Sequence, residues 1–402
     1  MGGQARKARA TSVSSALAGA ALALVSMLGI THPAHADLLY VTEGNNLRRL
    51  DLATLDDPQP KSDLFIEHAG RGDGPDSRSG FDDPRRRDIN GMVCPRPDAP
   101  GGFVAGEDTG QNDTLPGWGV FDAAGLQVGK LTATYFVEQG EPVGCVFAPD
   151  GRLFTSELGN VGFGTPIGQL ILWFPPFERF PGPPGAYPQT GASSTHFCKL
   201  ATDIGNAGSV AIDASGRVYV TSAGRGAIYR FSPPFPSGPD AAGGCGRRDA
   251  SGAPLADTVE REVFYRGFQT FTGLAFAANG HLYAASVFTG EILEIGPDGT
   301  LVRTVLSPDG WLVPPYPTGN PMGLAVDRDG TLYYADIDLV WQGLSIGPGP
   351  DGKVRRIRFD AQGTPLAPET LMDGLQFPDG LGILPGQLGA HEPVAEASAP
   401  VE

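Results

Sequence analysis

The stretch Gly323-Leu324-Ala325-Val326-Asp327-Arg328-Asp329-Gly330-Thr331-Leu332-Tyr333-Tyr334 decides the fold. It holds two short apolar runs joined by an acidic turn that ends in glycine. Such a turn needs a positive φ, which glycine supplies without steric cost, so the stretch reads as a β-hairpin. The same form returns in Gly208 to Val220, with Ala214-Ser215-Gly216 as its turn, and near Pro149-Asp150-Gly151 and Ala278-Asn279-Gly280.

Six segments share the pattern x-Gly-small/apolar-apolar. Their glycines are Gly91, Gly144, Gly208, Gly273, Gly323 and Gly380, spaced 53, 64, 65, 50 and 57 residues apart. Third and fourth apolar runs follow in most units, such as Ala227 to Phe231 and Leu301 to Val305. Four short strands at such a period are the mark of an all-β, six-bladed β-propeller. The run from Asp37 to Thr42 looks like a second strand without its first, and Gly380 to Leu384 like a first strand without its second. Joined, they complete one blade and remove the open edge of the ring. Residues 57–87, 174–194 and 233–254 are Pro/Gly-rich or charged and read as surface loops and excursions. The expected layout is a secretion signal at 1–36, a propeller at 37–387 and a disordered tail at 388–402.

Composition agrees with an all-β chain. The 58 Gly and 37 Pro among 402 residues argue against a helical bundle. Arg6, Lys7 and Arg9 precede a short apolar run, and Ala34-His35-Ala36 forms a small-x-small site, so cleavage after Ala36 and export are expected. The net charge is −16, or −19 once those three bases are removed with the leader. A chain of that sign is repelled by nucleic acid and anionic lipid. The partner expected is a small molecule, or a peptide or glycan, taken up by a monomer without nucleic acid or membrane. The four cysteines of an exported chain suggest two disulfides; three pairings are possible, and Cys94–Cys145 with Cys198–Cys245 is preferred because it joins neighbours in the repeat.

In a propeller, loops entering first strands and loops joining second to third strands surround one mouth of the channel. The first set carries Asn90, Glu141, Asn206, Asn320 and Asp379. Aligned second strands place Glu43, Glu107 and Glu157 in one column, and the last blade adds Asp336 and Asp338. These five acids are candidate substrate-binding residues. Converging carboxylates repel, so they need a cation or raised pKa values. Oxygen donors without His or Cys suit a hard ion, Ca²⁺ before Mg²⁺. A bound metal polarises a carbonyl and acidifies water, which fits lactone or ester hydrolysis. There is no G-x-S-x-G elbow for a serine hydrolase. His281 follows a turn on the opposite face, and His196 precedes an outer strand, so neither is placed as a base.

These repeats resemble the NHL-type propellers and the senescence-marker, gluconolactonase and luciferin-regenerating families. Gly323 to Asp327 with Asp329 to Tyr333 carries the NHL-like form. The hydrolase branch implies a central divalent metal held by a Glu in E-x-P-V, by Asn in N-G and by Asp in P-D-G. Pro378-Asp379-Gly380 matches the last, and Glu141-Pro142-Val143 matches the first with one residue missing. Asn320 lies two residues before Met322-Gly323, and Asn90-Gly91 has the N-G form in a different blade. The resemblance thus implies Glu141, Asn320 and Asp379 as metal ligands, with Asn206 and Asn90 as contributors and Asp379 as the catalytic carboxylate. It leaves a rival, a non-catalytic NHL-type propeller that binds a peptide, glycan or cation. A lyase of the streptogramin sort is the third reading and would need a histidine facing the channel.

Overall fold

Each repeat folds into one antiparallel sheet whose strands follow chain order. The computed structural model describes residues 37–44, 46–67, 89–107, 117–131, 142–159, 168–178, 196–308 and 313–385. Blade one takes its first strand from Pro378–Pro385 and the rest from Asp37–Glu43, Asn46–Asp51 and Ser62–Ile66. Blade two is Ile89–Pro95, Phe103–Glu107, Gly117–Phe121 and Gln127–Leu131. Blade three is Pro142–Phe147, Leu153–Glu157, Gln169–Trp173 and Phe197–Ala201. Blade four is Ala207–Ile212, Val218–Ser222, Ala227–Ser232 and Glu260–Arg266. Blade five is Phe271–Phe276, Leu282–Ser286, Glu291–Ile295 and Leu301–Leu306. Blade six is Pro321–Val326, Leu332–Asp336, Gly352–Ile357 and Glu369–Leu375. The chain is therefore an all-β, six-bladed propeller, closed where Leu38 pairs with Leu384 and Val41 with Leu381.

First strands touch first strands all the way round, and that of blade six returns to that of blade one. The repeated glycine explains how. In every blade the pairing of first and second strands slips at this position, a β-bulge that turns the inner strand toward its neighbour. A Cβ on Gly144 would lie 2.6 Å from the carbonyl of Gly208 in the next blade, and one on Gly273 would lie 2.3 Å from that of Met322. No side chain fits at these approaches. The turn glycines of the sequence reading do a different job. Gly151, Gly216, Gly280 and Gly330 have φ between +76° and +85° and face open space.

The core consists of layers between blades. Leu38 and Tyr40 pack toward blade two with Phe103 and Phe121, while Leu39 and Val41 pack toward blade six with Tyr333 and Val354. Successive residues of a strand point to opposite faces, so a strand buried on both sides reads as a continuous apolar run. Each large side chain buried this way contributes about 2 kcal/mol.

Two stretches depart from the sequence reading. Residues 57–87, expected as a surface loop, supply the fourth strand of blade one at Ser62–Ile66. This is an edge strand with Leu64 exposed, and its polar flanks conceal it in sequence. In blade six an extra hairpin, Leu339–Gln342 with Ser345–Pro348, rises between the second and third strands. The leader at 1–36 and the tail at 388–402 lie outside the described residues.

Both expected disulfides are present. Cys94–Cys145 joins the first strands of blades two and three, with Cα atoms 6.0 Å apart. Cys198–Cys245 ties the outer strand of blade three to the excursion between the third and fourth strands of blade four. Disulfides suit an oxidising, extracytoplasmic compartment. Among the described residues no helix is long and apolar enough to cross a membrane. Replacing Cys198 and Cys245 by serine is expected to cost about 2–4 kcal/mol. The loss should be local, so protease should cut first within 233–257; unchanged cleavage there would refute the stapling role.

Candidate functional site

Every first strand starts, and every second strand ends, at the same mouth of the channel. The pairs that meet there are Pro378 with Glu43, Ile89 with Glu107, Pro142 with Glu157, Ala207 with Ser222, Phe271 with Ser286 and Pro321 with Asp336. The acid column is thus real, and blades four and five continue it with serines.

Its acids are buried. All four are at most 6% exposed, and three of them pair with a base of their own blade. Glu43 accepts from Arg48 at 2.9 Å. Glu107 pairs with Lys130 at 2.5 Å and accepts from Gln127 at 2.9 Å. Asp336 accepts from Arg355 at 3.0 Å and from the N–H groups of Asn320 and Asp338. Asp338 holds the extra hairpin instead: its carboxylate takes the Asp351 N–H and its carbonyl the Gly349 N–H. For Glu43, Glu107 and Asp336 neighbouring bases supply the countercharge that the sequence reading sought from a cation or raised pKa values. Among the described residues no three of His, Cys, Asp and Glu stand close enough to hold a metal.

Glu157 is the exception, since no base bonds to it. Burial pushes its pKa up to about 7, against a smaller lowering by the charge of Lys199. Lys199 is itself engaged with Asp249 at 2.7 Å. The Gln169 amide reaches Glu157 at 3.4 Å, and its own Oε1 is buried without a donor, a setting that suits a neutral carboxyl. A pKa raised on folding makes the fold bind its proton more tightly than the unfolded chain does. The stabilisation is then full below about pH 4.5 and is lost as pH rises through about 7. Wild type should lose about 3 kcal/mol relative to Glu157→Gln across that window. Denaturant titrations of both proteins at pH 4.5 and pH 8 measure it, and parallel changes would rule it out.

The carboxylate at the inner strands is Asp379. It is half-buried at the head of blade one. The Thr42 hydroxyl donates to its Oδ1 at 2.6 Å, and the Gly91 N–H of blade two donates to Oδ2 at 3.0 Å. Thr42 in turn accepts the Gly380 N–H at 2.9 Å. Asn90 precedes Gly91, and its Oδ1 is buried with no hydrogen-bond partner. The structure therefore joins Asp379 to the backbone of the Asn90-Gly91 pair through the Gly91 N–H. Asn320 is buried at the entry to blade six, where its Nδ2 donates to the Val287 carbonyl at 2.8 Å. Asn206 stands half-buried at the entry to blade four, where its carbonyl accepts the Ala223 N–H. Glu141 lies outside the described residues. His281 is paired with Glu294 at 2.6 Å on the far face.

Thr42 escaped the sequence reading, although a signal existed. Thr42, Ser156 and Thr221 stand directly before the column of Glu43, Glu157 and Ser222. The Ser156 and Thr221 hydroxyls donate to carbonyls of the next blade, at Gly208 and Thr272, and the Thr42 hydroxyl lies 3.1 Å from the Gly91 carbonyl while its one proton goes to Asp379. The column couples blades, and in blade one it also aims the mouth carboxylate.

No protein-family model and no curated protein matches this sequence. Similar solved structures include a protein of unknown function from Bacteroides caccae, 12% identical over 87% of this chain and 99% of that one, with a TM-score of 0.47. Regucalcin, a calcium-binding protein from Agrobacterium tumefaciens, is 16% identical over 78% and 81%, with a TM-score of 0.46. A luciferin-regenerating enzyme is 12% identical over 75% and 80%, with a TM-score of 0.45. The chain is a six-bladed propeller, and its neighbours among solved structures include members of the families that its motifs resemble.

Proposed function

We propose that this chain is a secreted, calcium-dependent hydrolase of small lactone- or ester-like molecules, acting at the channel mouth. One observation carries the reading: Asp379 is held at the inner strands by the Thr42 hydroxyl and the Gly91 N–H, and Asn90, the chain neighbour of Gly91, has a buried side-chain oxygen without a hydrogen-bond partner. The donors there are carboxylate and amide oxygens, the set a hard divalent ion prefers. Asp379 and Asn90 would hold the ion, with Thr42 and the Gly91 N–H fixing the carboxylate. Bound there, the ion would polarise a substrate carbonyl and lower the pKa of a water. Asp379 would orient that water and take up its proton.

A non-catalytic binding propeller for a peptide or glycan is the second reading. It is favoured by apolar groups exposed on the mouth loops of blades five and six. Phe288 and Trp341 are each about half exposed and Leu344 wholly so. Tyr316 donates to the Phe288 carbonyl at 2.7 Å, and Trp341 donates to that of Pro314 at 3.0 Å, so they form one ridge.

The deciding experiment is elemental mass spectrometry of the purified protein before and after chelation, paired with turnover of a lactone and ester panel. One tightly held Ca²⁺ per chain, with turnover lost on chelation, is the expected result. No bound metal and no turnover would hand the assignment to the binding propeller.

A further inference from the structure

Blades five, six and one bring equivalent residues to the channel. In each, the pairing of the first two strands slips over two residues: Thr272-Gly273, Met322-Gly323 and Asp379-Gly380. The inner strands touch there. A Cβ on Gly273 would lie 2.3 Å from the Met322 carbonyl oxygen, and one on Gly323 would lie 2.8 Å from that of Asp379. Met322 thus holds the place of Asp379 in the neighbouring strand, on the side away from blade two.

An apolar wall begins at Met322. Val287, Ile337 and Leu339 form a small buried cluster at the mouth, and Met322, Ile346 and Phe377 pack against it half-buried. Ile346 stands opposite Trp341 in the extra hairpin, on the face that also carries Leu339. Phe377, two residues before Asp379, keeps a left-handed backbone at φ +46°. A bulky residue holds that conformation only where its surroundings impose it. The polar groups around this wall are already engaged. The Val287 N–H donates to the Thr270 carbonyl at 3.3 Å, and the Val287 carbonyl accepts the Asn320 amide at 2.8 Å. The Ile337 N–H donates to the Asn320 carbonyl at 3.2 Å, and the Thr272 hydroxyl to the Met322 carbonyl at 3.2 Å. A hydroxyl-rich ligand laid here would give up hydrogen bonds to water without replacement, whereas a hydrocarbon chain would be stabilised by leaving water.

We propose that this wall, with Met322, Ile346 and Phe377 as its contact residues, binds the hydrocarbon part of the ligand at the channel mouth, so that the preferred esters and lactones carry an alkyl chain rather than hydroxyl groups. The substrate class rests on the hydrolase reading; binding of a chain by the wall does not.

The test is a calorimetric titration of the full chain with N,N-dimethyloctanamide and N,N-dimethylbutanamide, neutral probes that differ only in chain length. Each buried methylene tightens binding roughly threefold, so the octanamide should bind about tenfold tighter or more. Phe377→Asn removes the ring with a residue that accepts a left-handed backbone, and Ile346→Asn acts on the hairpin, outside the ring of blades. Each should weaken octanamide binding by roughly threefold or more. Leu366→Asn, at an exposed leucine beyond the third strand of blade six on the opposite face, should bind as wild type does. Melting curves confirm folding, and if Phe377→Asn does not fold, Ile346→Asn decides. Absence of saturable binding, equal affinity for the two probes, or wild-type affinity in the folded mouth variants overturns the proposal. Turnover of γ-decalactone and γ-butyrolactone is measured on the same preparation, and faster turnover of the decalactone is expected. Faster turnover of the butyrolactone overturns the substrate class. Turnover of neither, with chain-dependent binding retained, would remove the hydrolase reading and leave the wall as a binding site.

Discussion

Gly380→Ala should fail to close the ring. A Cβ at this position would lie 1.7 Å from the Gly91 carbonyl oxygen, and the atoms in the way are backbone of another blade. Neither strand can retreat without breaking the contact that completes the circle. The nearby hydrogen bonds also depend on this spacing, since Thr42 accepts the Gly380 N–H while Asp379 takes the Gly91 N–H. Overpacking of this kind costs roughly 3–5 kcal/mol, which is about 4–7 °C in a domain of this size. Gly216→Ala is the control. Its φ of +76° is unfavourable for alanine, but nothing lies within 4 Å of the added carbon, so about 1 kcal/mol is expected. Thermal melts of both variants test the comparison. Equal losses would show that backbone conformation, rather than crowding between blades, sets the need for glycine.

Asp379→Asn should abolish function with only a modest effect on folding. Asparagine keeps the size of the side chain, and its oxygen can still accept from Thr42. Its amide nitrogen would then meet the Gly91 N–H, donor against donor. That mismatch costs about 1–2 kcal/mol. In the hydrolase reading the variant also loses the charge that holds the ion and the base that takes a proton. Turnover should fall by roughly 10²–10⁴-fold, together with metal affinity. Activity assays, calcium titration and melting curves on one preparation separate the two effects. Turnover and calcium affinity equal to wild type in a folded variant would remove Asp379 from the site. Retained affinity for a peptide or glycan ligand alongside absent turnover in both proteins would favour the binding propeller.

Much of the fold is legible in the sequence because propellers repeat. The six x-Gly segments and the turns at Gly151, Gly216, Gly280 and Gly330 give blade number, strand order and closure. The fourth strand Ser62–Ile66 was hidden because an edge strand buries little and so lacks an apolar run. The excursion at 233–254 reads as a loop in sequence, since its short pairings depend on residues of blade three.

The candidate site divides along a similar line. Alignment of the repeats found the column of Glu43, Glu107 and Glu157, added Asp336 and Asp338 from the last blade, and set Asp379 in a loop entering a first strand. It could not find their partners. Arg48 lies near Glu43 in the chain, but Lys130 is 23 residues beyond Glu107, and Asn320 turns to Val287 in another blade. Local sequence thus determined which residues share a strand end, because strand period and turn chemistry are local properties. Tertiary structure alone decided which acids are neutralised, which one is buried without a base, and which faces the inner strands. Those outcomes depend on distances between blades, and a repeat of four strands carries no record of its neighbours.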